Sequence, residues 1–446
     1  MVKPRQASKT VSFIDEYCEM YRDLFSDVRT FEYFKYLHLG IISELKRKSL
    51  PEIAKIIGLE SPEKLNHFLT KSIWSREKIE QRRLELILKI INGEEIIVII
   101  DETGDKKKGT TTDYVKRQYI GNLGKVDQGL VSVTAFGLYR RRLFPLINEV
   151  YKPKERLKEG DEYKSKPQIG GEMIKKLKEK GFKIKLVLAD SEYGESETNF
   201  VNFLETEKLP FVLALRSNHS MWLSSGQVIR TNKWREFERV FDTGETEKRY
   251  VREIIYGQKR EIRYWQVTTD KEELPKNSTY YIMTKVPEIK YQEVGNLYGL
   301  RNWVEYGLKQ SKNELGWSDF RFTDYSRIEK WWEMVMSAFL MVSWQSENLN
   351  KPKLETVNSS NKISKTKEKI QEHPWWSEGL GWKNSLNNLR LFLQPLSYFN
   401  LLKPWLVVIF KHSIIRSFTH LFAILQQTVN SFIETIFPPS FYHSFT

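Results

Sequence analysis

The chain has 446 residues, enough for two or three domains with sizeable cores. Hydrophobic residues make up 40%, which excludes a disordered polymer, and 71 Lys and Arg against 57 Asp and Glu leave a formal net charge of +14. With aromatics at 13% interleaved among the cations, that excess favours a polyanionic partner, nucleic acid first, over a merely basic surface. Cys18 is the only cysteine, so one chain forms neither a disulfide framework nor a cysteine zinc site, and the seven His residues are scattered. The segment MVKPRQASKTVSF lacks an apolar signal core, and the longest apolar run, Trp405 to Phe410, is too short for a membrane span. The expectation is a soluble intracellular protein without a membrane partner.

Residues 1–93 read as helical. Ser49 can cap a helix with Pro51 in its first turn, Gly58 can stop it, and Ser61-Pro62-Glu63 opens a second helix carrying Leu65, Phe68 and Leu69. A helix-turn-helix and a plain helical hairpin fit this pattern equally well. Around it Lys46, Arg47, Lys48, Lys55, Lys64, Lys71, Arg76 and Lys78 are the expected phosphate contacts.

Glu95 to Asp101 differs in kind. Five consecutive β-branched residues, Ile96 to Ile100, suit a strand buried on both faces, and Asp101 is expected to end it. A carboxylate at the tip of a buried strand is a site candidate; the bland alternative is an acidic loop residue. Two further strands are expected at Val131–Tyr139 and Leu143–Tyr151, with a basic surface segment from Lys106 to Lys125 before them. A helix over Gly170–Lys180 leads into a second buried-type strand, Lys183 to Ala189, again ending on an aspartate, Asp190. A helix over Glu197–Glu207 and a strand over Pro210–Arg216 follow, so the pattern is a mixed α/β sheet covered by helices. From about 217 to 289 the chain alternates in β fashion, with strands at Tyr250–Tyr256, Glu261–Val267 and Thr279–Thr284 and a turn at Gly257.

The stretch Tyr298–Lys312, YGLRNWVEYGLKQSK, sorts cleanly as one helix at ~100° per residue. Tyr298, Arg301, Glu305, Lys309 and Lys312 share one stripe, and Leu297, Leu300, Val304, Leu308 and Leu315 the adjoining one. Taken alone, the stripe reads first as an ordinary solvated helix face. The spacing Tyr298-x2-Arg301-x3-Glu305-x6-Lys312, with IDETG around Asp101 and ADSEYG around Asp190, resembles the DDE transposases of the insertion-sequence-four superfamily, most closely their seven-hundred-one branch. The likeness covers about residues 95–345.

The resemblance implies an α/β fold with a ribonuclease-H-like catalytic core, a β-rich insertion, a helical amino-terminal DNA-binding domain and a helical carboxy-terminal region. The corresponding partition is 1–93, 94–346 with the insertion at about 217–289, a linker at 347–372, and 373–446. It implies Asp101, Asp190 and Glu305 as the catalytic carboxylates and the ligands of two Mg²⁺ ions, with Mn²⁺ substituting. Glu102 and Glu192, beside the two aspartates, are weaker metal candidates, read as supports or loop residues. Tyr298, Arg301 and Lys312, with Lys309, would grip the transposon-end strand. An aromatic that flips a base is sought at Tyr280 in STYYIMTK, or at Trp265 on the neighbouring strand; core packing serves either equally. The implied protein is a cut-and-paste transposase, homodimeric on double-stranded DNA with terminal inverted repeats, cytoplasmic and nucleoid-associated in a prokaryotic setting. A metal-dependent DNA nuclease and a domesticated, non-catalytic DNA-binding protein of the same fold are the alternatives. A paired-carboxylate glycosidase predicts neither the basic helix nor the net charge.

Overall fold

The computed structural model describes residues 5–219, 226, 228–241, 244–256, 261–350, 370–379, 381–409 and 412–436. They group into two compact units, one made of residues 90–308, the other of 1–89 together with 309–446. The turn at Gly257 lies outside the described residues, as does most of the expected linker.

The amino-terminal helices are α1 (Ser12–Glu19), α2 (Val28–Ile42), α3 (Leu50–Ile56), α4 (Glu63–Thr70) and α5 (Arg76–Ile91). Asp27 caps α2 by accepting the Thr30 N–H at 2.9 Å. Ser49 caps α3, Pro51 sits in its first turn, and Gly58 stops it at φ +76°, where a side chain would be strained. Leu65, Phe68 and Leu69 of α4 are fully buried. The helix–glycine–helix pair therefore forms as expected.

Two of the expected phosphate-binding cations do not face water. Lys48 is 2% exposed: its ammonium donates to the Ser43 carbonyl, its N–H donates to Asp319 at 2.6 Å, and it packs over Gly316. Burial pulls that ammonium down to about 7. Arg76 is half-buried and paired with Glu80 and Glu329. Lys46, Arg47, Lys55, Lys64, Lys71 and Lys78 remain exposed.

In the 90–308 unit the β-branched run builds the centre of an 11-stranded sheet. Strand β1 (Glu95–Lys106) has Val98, Ile99 and Ile100 fully buried, as a strand covered on both faces requires. The next strands are β2 (Lys116–Ile120), β3 (Lys125–Tyr139) and β4 (Arg142–Val150). Helix α6 (Lys166–Glu179), strand β5 (Lys183–Ala189), the short α7 (Ser191–Gly194), a π-turn, α8 (Asn202–Thr206) and β6 (Phe211–Leu215) follow. β3 pairs antiparallel with β1 along one edge and takes β4 and β2 along the other, whereas β5 and β6 run parallel to β1. This mixed α/β arrangement fits a ribonuclease-H-like core.

The segment read as an insertion supplies β7 (Ile229–Thr231), β8 (Arg235–Val240), β9 (Thr246–Tyr256), β10 (Arg263–Thr268) and β11 (Tyr280–Lys285). These strands extend the same sheet, because β11 pairs antiparallel with β6, from Tyr281↔Leu215 to Lys285↔Phe211. Helices α9 (Tyr291–Gly299) and α10 (Asn302–Asn313) come next. The expected single helix over Tyr298–Lys312 is thus two. Around Leu300 and Arg301 the backbone tightens to i→i−3 bonds, such as Arg301 N–H to the Tyr298 carbonyl at 3.0 Å, and the axis is interrupted there.

The second unit is completed by α11 (Tyr325–Asn350), α12 (Trp382–Ile409) and α13 (His412–Ile436). α11 is buried around most of its circumference, through Trp331, Val335, Phe339, Leu340 and Val342, so it needs partners on several sides. It finds them in α2, α4 and α12. Residues 309–346 therefore pack with the amino-terminal helices, a different grouping from the 94–346 partition. Inside this unit Arg83 and Glu333 form a buried ion pair at 2.7 Å, and the Tyr17 hydroxyl donates to the Ser337 carbonyl at 2.9 Å.

Candidate active site

Register brings the two aspartates together. β1 and β5 pair in parallel up to Ile100↔Ala189, so Asp101 and Asp190 are the next residues on adjacent strands. β5 stops there. β1 does not: Asp101 lies inside a strand that continues to Lys106 against β3, because Thr103, Gly104 and Asp105 find antiparallel partners in Ser132, Val131 and Leu130. Asp101 thus sits where one neighbour ends and the other continues. Asp190 is fixed by capping α7, its Oδ1 accepting the Glu192 N–H at 2.9 Å. Gly194 lets α7 lie on β6, since a Cβ there would meet the Ala214 carbonyl oxygen at 2.0 Å.

Among the described residues, one oxygen each from Asp101, Glu102 and Asp190 lie within 4.8 Å of one another. Glu305 stands outside this group, 53% exposed, and is linked to it by Arg301. The guanidinium donates from Nη1 to Asp101 Oδ2 at 3.1 Å and from Nη2 to Glu305 Oε1 at 2.5 Å. On the other side Lys166 donates to Glu192 Oε2 at 2.9 Å and Glu102 Oε1 at 3.4 Å. Five carboxylates therefore share two cations.

The electrostatics follow from that imbalance. Burial pushes the Asp101 carboxyl up to about 7, Arg301 pulling back and Asp190 adding to the rise. Burial also raises Glu102, against the pull of Lys166 and with a further push from Glu192, Asp190 and Asp101. Asp190 is raised by burial despite Arg301. Lys166 is lowered by burial, but Glu102 and Glu192 outweigh this and its net shift is upward. Clustered, partly desolvated carboxylates of this kind offer hard oxygen donors, and a divalent cation relieves their repulsion. Three carboxylate oxygens within 4.8 Å of one another are close enough for one such ion to be held by all three. The donor set fits such an ion.

Two family descriptions match the chain: a DDE superfamily endonuclease over residues 21–238 and a transposase DDE domain over residues 161–341. A probable transposase for insertion sequence element IS701, from Microchaete diplosiphon, is 60% identical over 329 residues, 74% of this chain and 87% of that relative. The chain belongs to the DDE transposases. This transposase is of the IS701 type, its substrate is DNA, and its nuclease domains imply dependence on a divalent metal.

The remaining residues singled out in the sequence of this transposase divide by position. Tyr298, at the end of α9, is half-buried beside Arg301, and burial raises its phenol. Tyr280 lies next to it, ring centroids 5.7 Å apart, with its hydroxyl on the Asn277 carbonyl. Trp265 is 3% exposed, donates its indole N–H to Thr284 Oγ1 at 3.0 Å and stacks under Arg263, so it serves the sheet. Lys309, exposed, and Lys312, half-buried, lie further along α10, in the part of that helix grouped with the other unit. Lys166 escaped the sequence reading. Its signal was the capping box Ser165-x-x-Gln168, which starts α6 four residues before Gly170 and places Lys166 in the first turn.

Proposed function

We propose that this transposase cuts DNA at terminal inverted repeats and joins the freed end to a target, with Asp101, Asp190 and Glu305 holding two Mg²⁺ ions, replaceable by Mn²⁺. The supporting observation is the meeting of Asp101 and Asp190 on adjacent parallel strands, with Arg301 reaching from Asp101 to Glu305. Bound ions would lower the pKa of the attacking water and offset charge on the scissile phosphate. The protein supplies position and counter-charge. Arg301, which donates to Asp101 and Glu305, would be free to hold a phosphate were those carboxylates engaged by cations, and its planar fork suits a bidentate grip. Tyr298 offers a hydroxyl to the same strand, and Lys309 and Lys312 offer point charges along it. Tyr280, beside Tyr298 and only half-buried, is the better candidate for stacking on a displaced base. Helices α3 and α4, with Lys46, Arg47, Lys55, Lys64 and Lys71, read the repeat, two copies of the chain pair the ends, and the protein works at the nucleoid.

The test is a gel shift beside a Mg²⁺-dependent cleavage and strand-transfer assay on one end fragment. The reading expects end-specific nicking followed by joining to target DNA. Nicking without joining would favour a nuclease, and binding without nicking a non-catalytic descendant.

A further inference from the structure

We infer that Glu102 is a direct ligand of the divalent cation in this site, a fourth carboxylate beside Asp101, Asp190 and Glu305. The inference rests on the metal-site reading above and names a further residue in it.

The carboxylates that actually stand together are Asp101, Glu102 and Asp190, whereas Glu305 reaches them only through Arg301. Glu102 is well placed for the role. Its side chain is 10% exposed, and Lys166 holds one oxygen, Oε1, leaving Oε2 buried without a hydrogen-bond partner. An unpartnered buried carboxylate oxygen is costly, and here it belongs to a carboxylate that stands within 4.8 Å of two others. A divalent cation would satisfy it, and its neighbours, at once. Lys166 acts as a positioning residue: from the first turn of α6 it ties Glu102 to Glu192 and fixes the Glu102 carboxylate within the cluster. Glu102 succeeds Asp101 on a strand, and successive residues of a strand point to opposite faces. Even so, at the point where β5 ends an oxygen of each comes within 4.8 Å of the other and of Asp190.

The experiment titrates Mn²⁺ alone into the full-length, DNA-free protein by calorimetry and follows thermal unfolding with and without Mn²⁺. Asp190→Asn is the reference for loss of a ligand. Glu102→Gln should weaken Mn²⁺ binding by more than about tenfold, at least what removal of an outer-shell partner costs. It should keep or raise the metal-free melting temperature and lose most of the Mn²⁺-induced rise. If Glu102 merely balanced Lys166, Glu102→Gln would lower the metal-free melting temperature and leave Mn²⁺ affinity unchanged, which overturns the inference. Should the Gln variant not fold, Glu102→Asp keeps the charge but draws the oxygens back by one methylene; several-fold weaker binding is expected, and unchanged affinity overturns the inference. Absence of Mn²⁺ binding by the unaltered protein, or normal binding by Asp190→Asn, overturns the metal-site reading itself and this inference with it.

Discussion

Replacing Asp101 by Asn tests the electrostatic strain of the site without any reaction being run. Asp101 is raised from an ordinary value of 3.8 to about 7, chiefly by burial. At about 1.36 kcal/mol per pH unit, that rise corresponds to roughly 4 kcal/mol of preference for the neutral acid, an order-of-magnitude upper bound. The sign follows from proton counting. Between pH 4 and 7 the folded protein holds this proton and the unfolded chain does not, so stability of the metal-free protein falls as pH rises through that window. Asp101→Asn removes the charge but keeps an acceptor for the Glu102 N–H, which bonds Asp101 at 2.9 Å. It gives up the charged partner of Arg301, which trims the gain. The variant should be more stable than the unaltered protein by about 2–4 kcal/mol at pH 8 in EDTA, and by much less at pH 4. Urea unfolding across pH 4–8, with chelator, measures it. Equal stability at pH 8, or a pH slope identical in the two proteins, would refute the account of Asp101 as a strained, desolvated carboxylate.

The other expectations address separate parts of the molecule. Glu305→Gln should abolish Mg²⁺-dependent cleavage of an end fragment while a gel shift still shows binding; full cleavage would remove Glu305 from the site. Gly194→Ala forces a Cβ against the Ala214 carbonyl and should cost about 1–3 kcal/mol or more in urea unfolding; a change under half a kcal/mol would mean α7 shifts freely. Arg83→Met strands the buried Glu333 carboxylate and should cost about 3–5 kcal/mol, with near-normal melting as the contrary result. Binding to end DNA should fall steeply with salt, and Lys55→Glu with Lys64→Glu should flatten the log–log slope by roughly one per lost phosphate contact. An unchanged slope would take α3 and α4 out of the DNA interface.

The parts of this architecture that show in the sequence are those decided by local patterning. The run Ile96–Ile100 and the strand Lys183–Ala189 carry their own burial signal, and the two aspartates follow directly from them. What stayed hidden was decided by partners distant in the chain. β1 outlasts Asp101 only because β3 lies alongside to pair with Thr103–Lys106. Lys48 looks like a surface cation until Gly316 and Asp319 close over it. The break at Leu300–Arg301 leaves the apolar periodicity intact, since the stripe continues through Val304 and Leu308 on the far side. Glu102 reads in the sequence as a support or loop residue beside Asp101, because its approach to Asp190 depends on β1 and β5 lying side by side in register.

The unit built from residues 1–89 and 309–446 is discontinuous in the chain, and that has a consequence for biosynthesis. Its contacts join residues far apart in sequence: Tyr17 to Ser337 across 320 positions, Arg83 to Glu333 across 250, Arg390 to the Ile42 carbonyl across 348. A ribosome emitting about 5–20 residues per second releases the amino-terminal helices many seconds before α11 exists. During that interval Phe31, Phe34, Phe68 and the uncompensated Arg83 lack their final surroundings, while the 90–308 unit already has all of its strands. The sheet can therefore mature first. The helical unit, with the loop-closure entropy of so long an excursion still to be offset, matures last. Chains released early would carry a finished sheet with its carboxylates and an unfinished helical unit, so whatever activity needs both units would be a property of nearly full-length protein alone.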